Sequence, residues 1–384
     1  MTCSGKSAIT GSEIEITFER TIGRVAPASG CSGIYLAPGW IDLQVNGFAG
    51  ADYNDPSLAH ETIARSIHAL FATGVARFYP TVITGAPDRM ENALRNLSIA
   101  KDALAEGEAI EGFHVEGPHI SPEDGPRGAH PACWVRPPAF DEFRRWQEAT
   151  RNRVRIVTLS PEWPEAPAYI ERITREGVVA AIGHTRATAE EIQAAVSAGA
   201  TLSTHLGNGA HAVLRRYNYI WEQLAEDRLM ADFIVDGVHL PSTFLKVALR
   251  AKGVERAVLV TDAAAPAGCA PGRYRLGEVD VELTPDQRVV MAGQDRLAGS
   301  ALRMDRGVEN LIRQGGLRLA DAVRMATVNA AKAGCVPLRQ NGLACGDHAD
   351  LVEFRFDAVA SRIEVLSTWL AGREVYRNSA SAPR

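Results

Sequence analysis

Four residues of this chain have the types and the setting for metal-assisted hydrolysis: Glu116, His184, His205 and Asp262. Each closes or follows a short β-prone run: EGFHVEG, VVAAIGHT, TLSTHLGN and AVLVTDA. One carboxylate and two imidazoles supply three protein ligands to a divalent ion and leave one position for water, the recipe of a catalytic rather than a structural zinc site. Such an ion lowers the pKa of water from roughly 15.7 to about 7. Asp262 then suits the general base that takes the proton and later hands it to a leaving group. A lone His or Glu after a strand usually caps a helix or makes a hydrogen bond; four on one rim form a constellation.

The elements that must carry these residues recur with a rhythm. Eight β-prone runs can be read: GIYLAPGWIDLQVN, ARFYPT, EGFHVEG, VRIVTLSPE, VVAAIGHT, TLSTHLGN, MADFIVDGVH and AVLVTDA. Helical patterns such as ETIARSIHALFATG, AEEIQAAVSAG and PSTFLKVALRAKG lie between them, the last two ending at a Gly stop signal. Eight strands alternating with helices predict a TIM-type (β/α)8 barrel, whose active site lies at the C-terminal ends of its strands. No G-x-G-x-x-G follows the first run, which disfavours a doubly wound open sheet. Both chain ends read as strands outside this rhythm. They predict a small β-sandwich-like domain from residues 1–35 and 343–384, with the barrel at 36–342 and the terminal NSASAPR as a frayed tail.

Bulk properties narrow the partners. The 384 residues fit one barrel of ~250 residues plus a small module. A net charge of -5 argues against a nucleic-acid partner. The apolar runs fall short of the ~20 residues of a membrane span, and the N-terminus has no apolar leader run. Six scattered cysteines without a C-x-x-C pair predict reduced, structural thiols. The expectation is a cytoplasmic protein with no membrane partner.

Eight motifs stand in order across residues 36 to 305: PGWIDLQVNG, GFHVEGPHIS, GPRGAHP, GHTRAT, THLGNGAH, DGVHLP, LVTDAAAPAG and LAGSAL. Singly they are weak; as an ordered set the sequence resembles the N-acetylglucosamine-6-phosphate deacetylase family of the amidohydrolase superfamily. The resemblance implies Glu116, His184 and His205 as metal ligands and Asp262 as the catalytic acid and base. It implies that His130 touches the substrate near the scissile amide and that His239 touches the sugar's distal side. Gly207 and Asn208 would line the same pocket, and Leu297 to Leu302 would flank the acetyl methyl. It also implies a homodimer, with a subunit-crossing contact among Asn208 to Trp221, and a small N-acyl amino sugar as substrate.

Two departures qualify the resemblance. Many amidohydrolases carry His-x-His after the first strand; here the residues are Gln44-Val45-Asn46, poor zinc ligands, which argues for one ion, Zn with Fe, Co or Mn as alternatives. The stretch after THL lacks the Gly-Arg-Glu-Pro-Gly context of phosphate binding. Arg216, with Arg215 beside it, stands at about the right distance, while Tyr217, Tyr219 and Trp221 bring aromatic surface. An unphosphorylated or larger N-acyl amino sugar is therefore an alternative substrate. A non-catalytic sugar-binding module is a more distant one, disfavoured by the complete Glu, His, His and Asp set. Of the other histidines, His114 reads as core. His60, His68 and His348 read as surface or structural, and His119 and His211 are less constrained.

Overall fold

The computed structural model describes residues 1–31 and 33–379; the end of the stretch read as a frayed tail, from 380 on, lies outside the described residues. The barrel strands, in chain order, are β1 (Trp40–Val45), β2 (Val75–Ile83), β3 (Phe113–Glu116), β4 (Val154–Leu159), β5 (Val179–Ile182), β6 (Leu202–Ser203), β7 (Met230–Ile234) and β8 (Ala257–Val260). Each pairs in parallel with its neighbour in sequence. A parallel bridge between Val45 and Ala263 joins the first strand to the last and closes the ring. The expected TIM-type barrel is what the chain forms.

Strand parity sorts the side chains. Val179 and Ala181 of β5, and Val258 and Val260 of β8, fill the barrel interior. Ala180, Ile182, Ala257 and Leu259 pack outward against the helices. On β3, Phe113 and Val115 pack outward, so His114 and Glu116 face the axis. His114 is a core histidine, as the sequence reading had it. It is buried, with ring nitrogens bonded to the Leu43 carbonyl at 3.0 Å and the Thr158 hydroxyl at 2.7 Å.

The helices stop where their punctuation says. Ala189–Ser197 opens on a Thr188–Glu191 capping box, and Ser242–Lys252 ends at Gly253 with φ 74°. The run GIYLAPGWIDLQVN, read as one strand, is two. Tyr35–Pro38 leaves the barrel and lies between Thr2–Ser7 and Leu351–Asp357 in a seven-stranded sheet made from both chain ends.

An additional element was not legible from the sequence. A three-stranded antiparallel sheet, Gly272–Leu276, Val279–Leu283 and Val289–Met291, is inserted after β8 and has its own apolar cluster. No helix among the described residues is long and apolar enough to cross a membrane. The six cysteines are unpaired.

Candidate active site

The C-terminal rim gathers buried polar residues that the strand ends deliver. Glu116 ends β3. His184, His205 and Asp262 stand just past β5, β6 and β8, each with a left-handed backbone at φ 49°, 30° and 50°. Non-glycine residues in that region carry strain of about 1–3 kcal/mol each, which the packed barrel must offset. The turn aims each side chain inward, toward Glu116.

Glu116 Oε1 is the centre of the cluster. His205 Nε2 lies 2.8 Å from it, His184 Nε2 3.0 Å and His130 Nε2 4.0 Å. The ligand atoms of Glu116, His130 and His184 lie within 4.8 Å of one another, so this group can hold a metal ion. His205 stands closer to the carboxylate than His130 does, 2.8 Å against 4.0 Å, although it is not in that mutually close group. The donors fit a divalent ion chemically: one carboxylate oxygen and imidazole nitrogens, all buried. His184 Nδ1 is 2.8 Å from the Pro126 carbonyl, which orients the ring and would leave Nε2 as the ligand atom once a metal replaced its hydrogen bond to Glu116. Gly209 makes room for this ring, since a Cβ there would lie 2.5 Å from His184 Nδ1.

Charge in the cluster is strongly perturbed. Burial would raise the Glu116 carboxyl, but hydrogen bonds from His184 and His205 outweigh it and hold it well below the usual range. Burial also lowers the His205 imidazole, yet Glu116 overrides it and brings it up to about 9. His130 is pushed down to about 3, by burial first and His184 next. Asp262 is pushed up to about 7, by burial first and then by the Glu116 charge; a cation held by Glu116 would draw it down again. The Asn46 amide donates to Asp262 Oδ1 at 2.6 Å, so the residue in place of a second histidine orients the carboxylate.

A cavity of about 90 Å³, counted as space open to the centre of a water molecule, brings together Glu116, His130, His184, Asn208, His239 and Asp262. His130 is fixed by Thr84 at 2.7 Å. His239 Nδ1 is held by Asp236 at 2.6 Å, and the helix beginning at Ser242 has no side-chain cap bond, so His239 does not cap it.

Three predicted residues lie elsewhere. Gly207 (φ 98°) borders a small neighbouring cleft, where a Cβ would collide with Leu240 and Phe244. Leu302 is buried in the barrel-interior cluster and does not line the cavity; Leu297, Ala298 and Gly299 do. Arg216 is exposed in the loop before Tyr219 and is outside the cavity of its own chain. Sequence reasoning missed Ile83, Leu276 and Val279 on the cavity wall, and Asp232 beneath His205. Asp232 Oδ1 accepts the His205 backbone N–H at 2.5 Å. An Asp inside the apolar run MADFIV was the available signal for it.

Residues 35–375 match the amidohydrolase family. The N-acetylglucosamine-6-phosphate deacetylase of Vibrio furnissii is 32% identical over 363 residues, covering 94% of this chain and 88% of that protein. The crystal structure of N-acetyl-D-glucosamine-6-phosphate deacetylase from Mycobacterium smegmatis superposes with a TM-score of 0.88 at 30% identity, over 98% of this chain and 100% of that one. A variant of that enzyme in complex with N-acetyl-D-glucosamine-6-phosphate gives a TM-score of 0.87 at 30% identity, over 98% and 99% of the two chains. The chain belongs to the amidohydrolase family and, within it, to the N-acetylglucosamine-6-phosphate deacetylases.

Proposed function

We propose that this chain hydrolyses the N-acetyl amide of N-acetylglucosamine 6-phosphate, releasing glucosamine 6-phosphate and acetate. The observation that carries the reading is the convergence of Glu116, His184, His205 and Asp262 on one rim, in a chain similar to enzymes named for that reaction.

Glu116, His184 and His205 would hold one divalent ion, with Zn the choice that this donor set favours and Fe, Co or Mn as alternatives. The ion supplies Lewis acidity toward the amide and acidifies water. Asp262, with Oδ1 held by Asn46, can use Oδ2 to take the proton of the attacking water and carry it to the amide nitrogen as the C–N bond breaks. When the Thr84 hydroxyl donates to His130 Nδ1, His130 Nε2 bears the proton and can donate to the amide oxygen as charge develops there. Asn208 and His239 offer polar contacts to the sugar.

No Lys or Arg lines the cavity within one chain, among the described residues. That favours a second reading, an unphosphorylated N-acyl sugar, unless a second copy supplies the cation. The loop bearing Arg215 and Arg216 also exposes Val213, Leu214, Tyr217 and, just beyond it, Trp221. This surface suits burial in a homodimer that would bring an arginine to the partner's cavity. Unpaired cysteines fit a reducing, cytoplasmic setting.

Acetate release from N-acetylglucosamine and from its 6-phosphate, measured side by side on metal-loaded protein, tests the reading. A strong preference for the phosphate is expected. Turnover of the unphosphorylated sugar alone would move the assignment to the second reading.

A further inference from the structure

Behind one wall of the cavity lies a second hollow, about 20 Å³ on the same measure, bordered by Val82, Met90 and Pro131 together with the polar Asn54, Thr84, Arg89 and Glu278. Three apolar side chains border both spaces: Ile83, Leu276 and Val279. Ile83 ends the barrel strand β2, a rigid position. Leu276 and Val279 flank the hairpin turn Gly277–Glu278 of the inserted sheet. Two polar anchors hold that turn: the Gly277 N–H donates to Asp52 Oδ2 at 2.6 Å, and the Trp134 indole donates to Glu278 Oε2 at 3.2 Å. The second hollow is also next to His130, because Thr84, which borders it, is the His130 partner.

An acyl chain grows from the carbonyl carbon, away from the amine and the sugar. With His130 at the carbonyl, its further carbons meet the wall that hides the second hollow. We propose that Ile83, Leu276 and Val279 form the gauge that sets the length of the N-acyl group, and that trimming this wall admits longer linear acyl chains into the second hollow. The inference rests on the deacetylase reading above and deepens it. On this measure a single water needs roughly 10–15 Å³, so the hollow takes one or two further carbons and no more. One methylene more or less in an apolar pocket changes discrimination by about tenfold or more. The unaltered protein therefore prefers acetyl to butanoyl by at least about tenfold, and the inserted hairpin, outside the barrel rhythm, is the element that sets this.

The test compares kcat/KM for N-acetyl- and N-butanoylglucosamine 6-phosphate in the unaltered metal-loaded protein, Ile83→Ala and Val279→Ala. The expected result is a butanoyl-to-acetyl ratio at least about tenfold higher in each variant. Val279 lies in the insert rather than the barrel, so Val279→Ala remains informative where Ile83→Ala fails to fold. Val281→Ala, buried in the same sheet but bordering neither space, controls for general loosening and leaves the ratio unchanged. Acetyl hydrolysis with an unmoved ratio in Ile83→Ala and Val279→Ala, or an equal shift in Val281→Ala, overturns the gauge alone. No amide hydrolysis by the unaltered protein overturns the deacetylase reading, and the gauge with it.

Discussion

Two buried ionic clusters sit at opposite ends of the same barrel, and they solve opposite problems. At the N-terminal end, Arg77 near the start of β2 bonds Asp350 and Glu111. Arg339 bonds the same Asp350 and the Gly39 carbonyl. Two guanidiniums meet two carboxylates, and the Asp350 backbone carbonyl and second oxygen are taken by the Gly39 and Ala371 N–H groups. Charge there is neutralised by the protein itself. At the C-terminal rim, Glu116 is shared by imidazoles, Asp262 is hydrogen-bonded by the Asn46 amide, and no Arg or Lys among the described residues lines the cavity. The rim carries negative charge and nitrogen lone pairs that are complete only with a cation and a substrate. Burial of charge alone thus does not mark a functional site; the type of partner does.

The comparison can be broken most severely at the rim. His205→Ala is expected to remove the metal and with it at least about three orders of magnitude of turnover. His130→Ala should keep the metal and lose about 10²–10³-fold in kcat, the scale of an oxyanion donor. Metal content by atomic emission, read beside turnover, separates the two; loss of metal in His130→Ala alone would exchange their roles.

At the other end, Asp350→Asn leaves two buried guanidiniums under-neutralised. It should destabilise the fold by about 3–5 kcal/mol while turnover per folded molecule stays unchanged. Denaturant unfolding with a parallel rate assay checks this.

The smallest effect is one of pH. Burial alone would raise the Asp350 carboxyl, but Arg339 and Arg77 hold it down to about 2. A carboxyl lowered on folding contributes stability above its unfolded pKa of roughly 3.9, lost as pH falls through the folded value. The unaltered protein should lose about 2 kcal/mol between pH 4 and 2 from this group. Asp350→Asn should show a correspondingly flatter stability curve in that window.

The rim was legible in the sequence because its residues follow directly on the apolar runs that form the strands. Parity on FHVE points Glu116 to the axis, and each of His184, His205 and Asp262 comes within two residues of a strand end. The N-terminal cluster was not legible, since Arg77 and Asp350 are 273 residues apart and only the fold brings them together. The hairpin insert escaped for a local reason: RYRL and VDVEL are short, charged alternations that resemble loop sequence until they pair around Gly277–Glu278. Leu302 was expected near the acyl group because it lies in LAGSAL. The chain turns inward after Ser300 and buries it below the cavity floor, among interior residues such as Val260 and Ala330.

The most direct test of the rim is Asp262→Asn against the unaltered protein, both metal-loaded, with acetate release from N-acetylglucosamine 6-phosphate as the readout. Loss of about 10²–10⁴-fold in kcat, with metal content and melting temperature held, is the predicted result. Equal rates in the two proteins would contradict the assignment of Asp262 as the group that carries the proton.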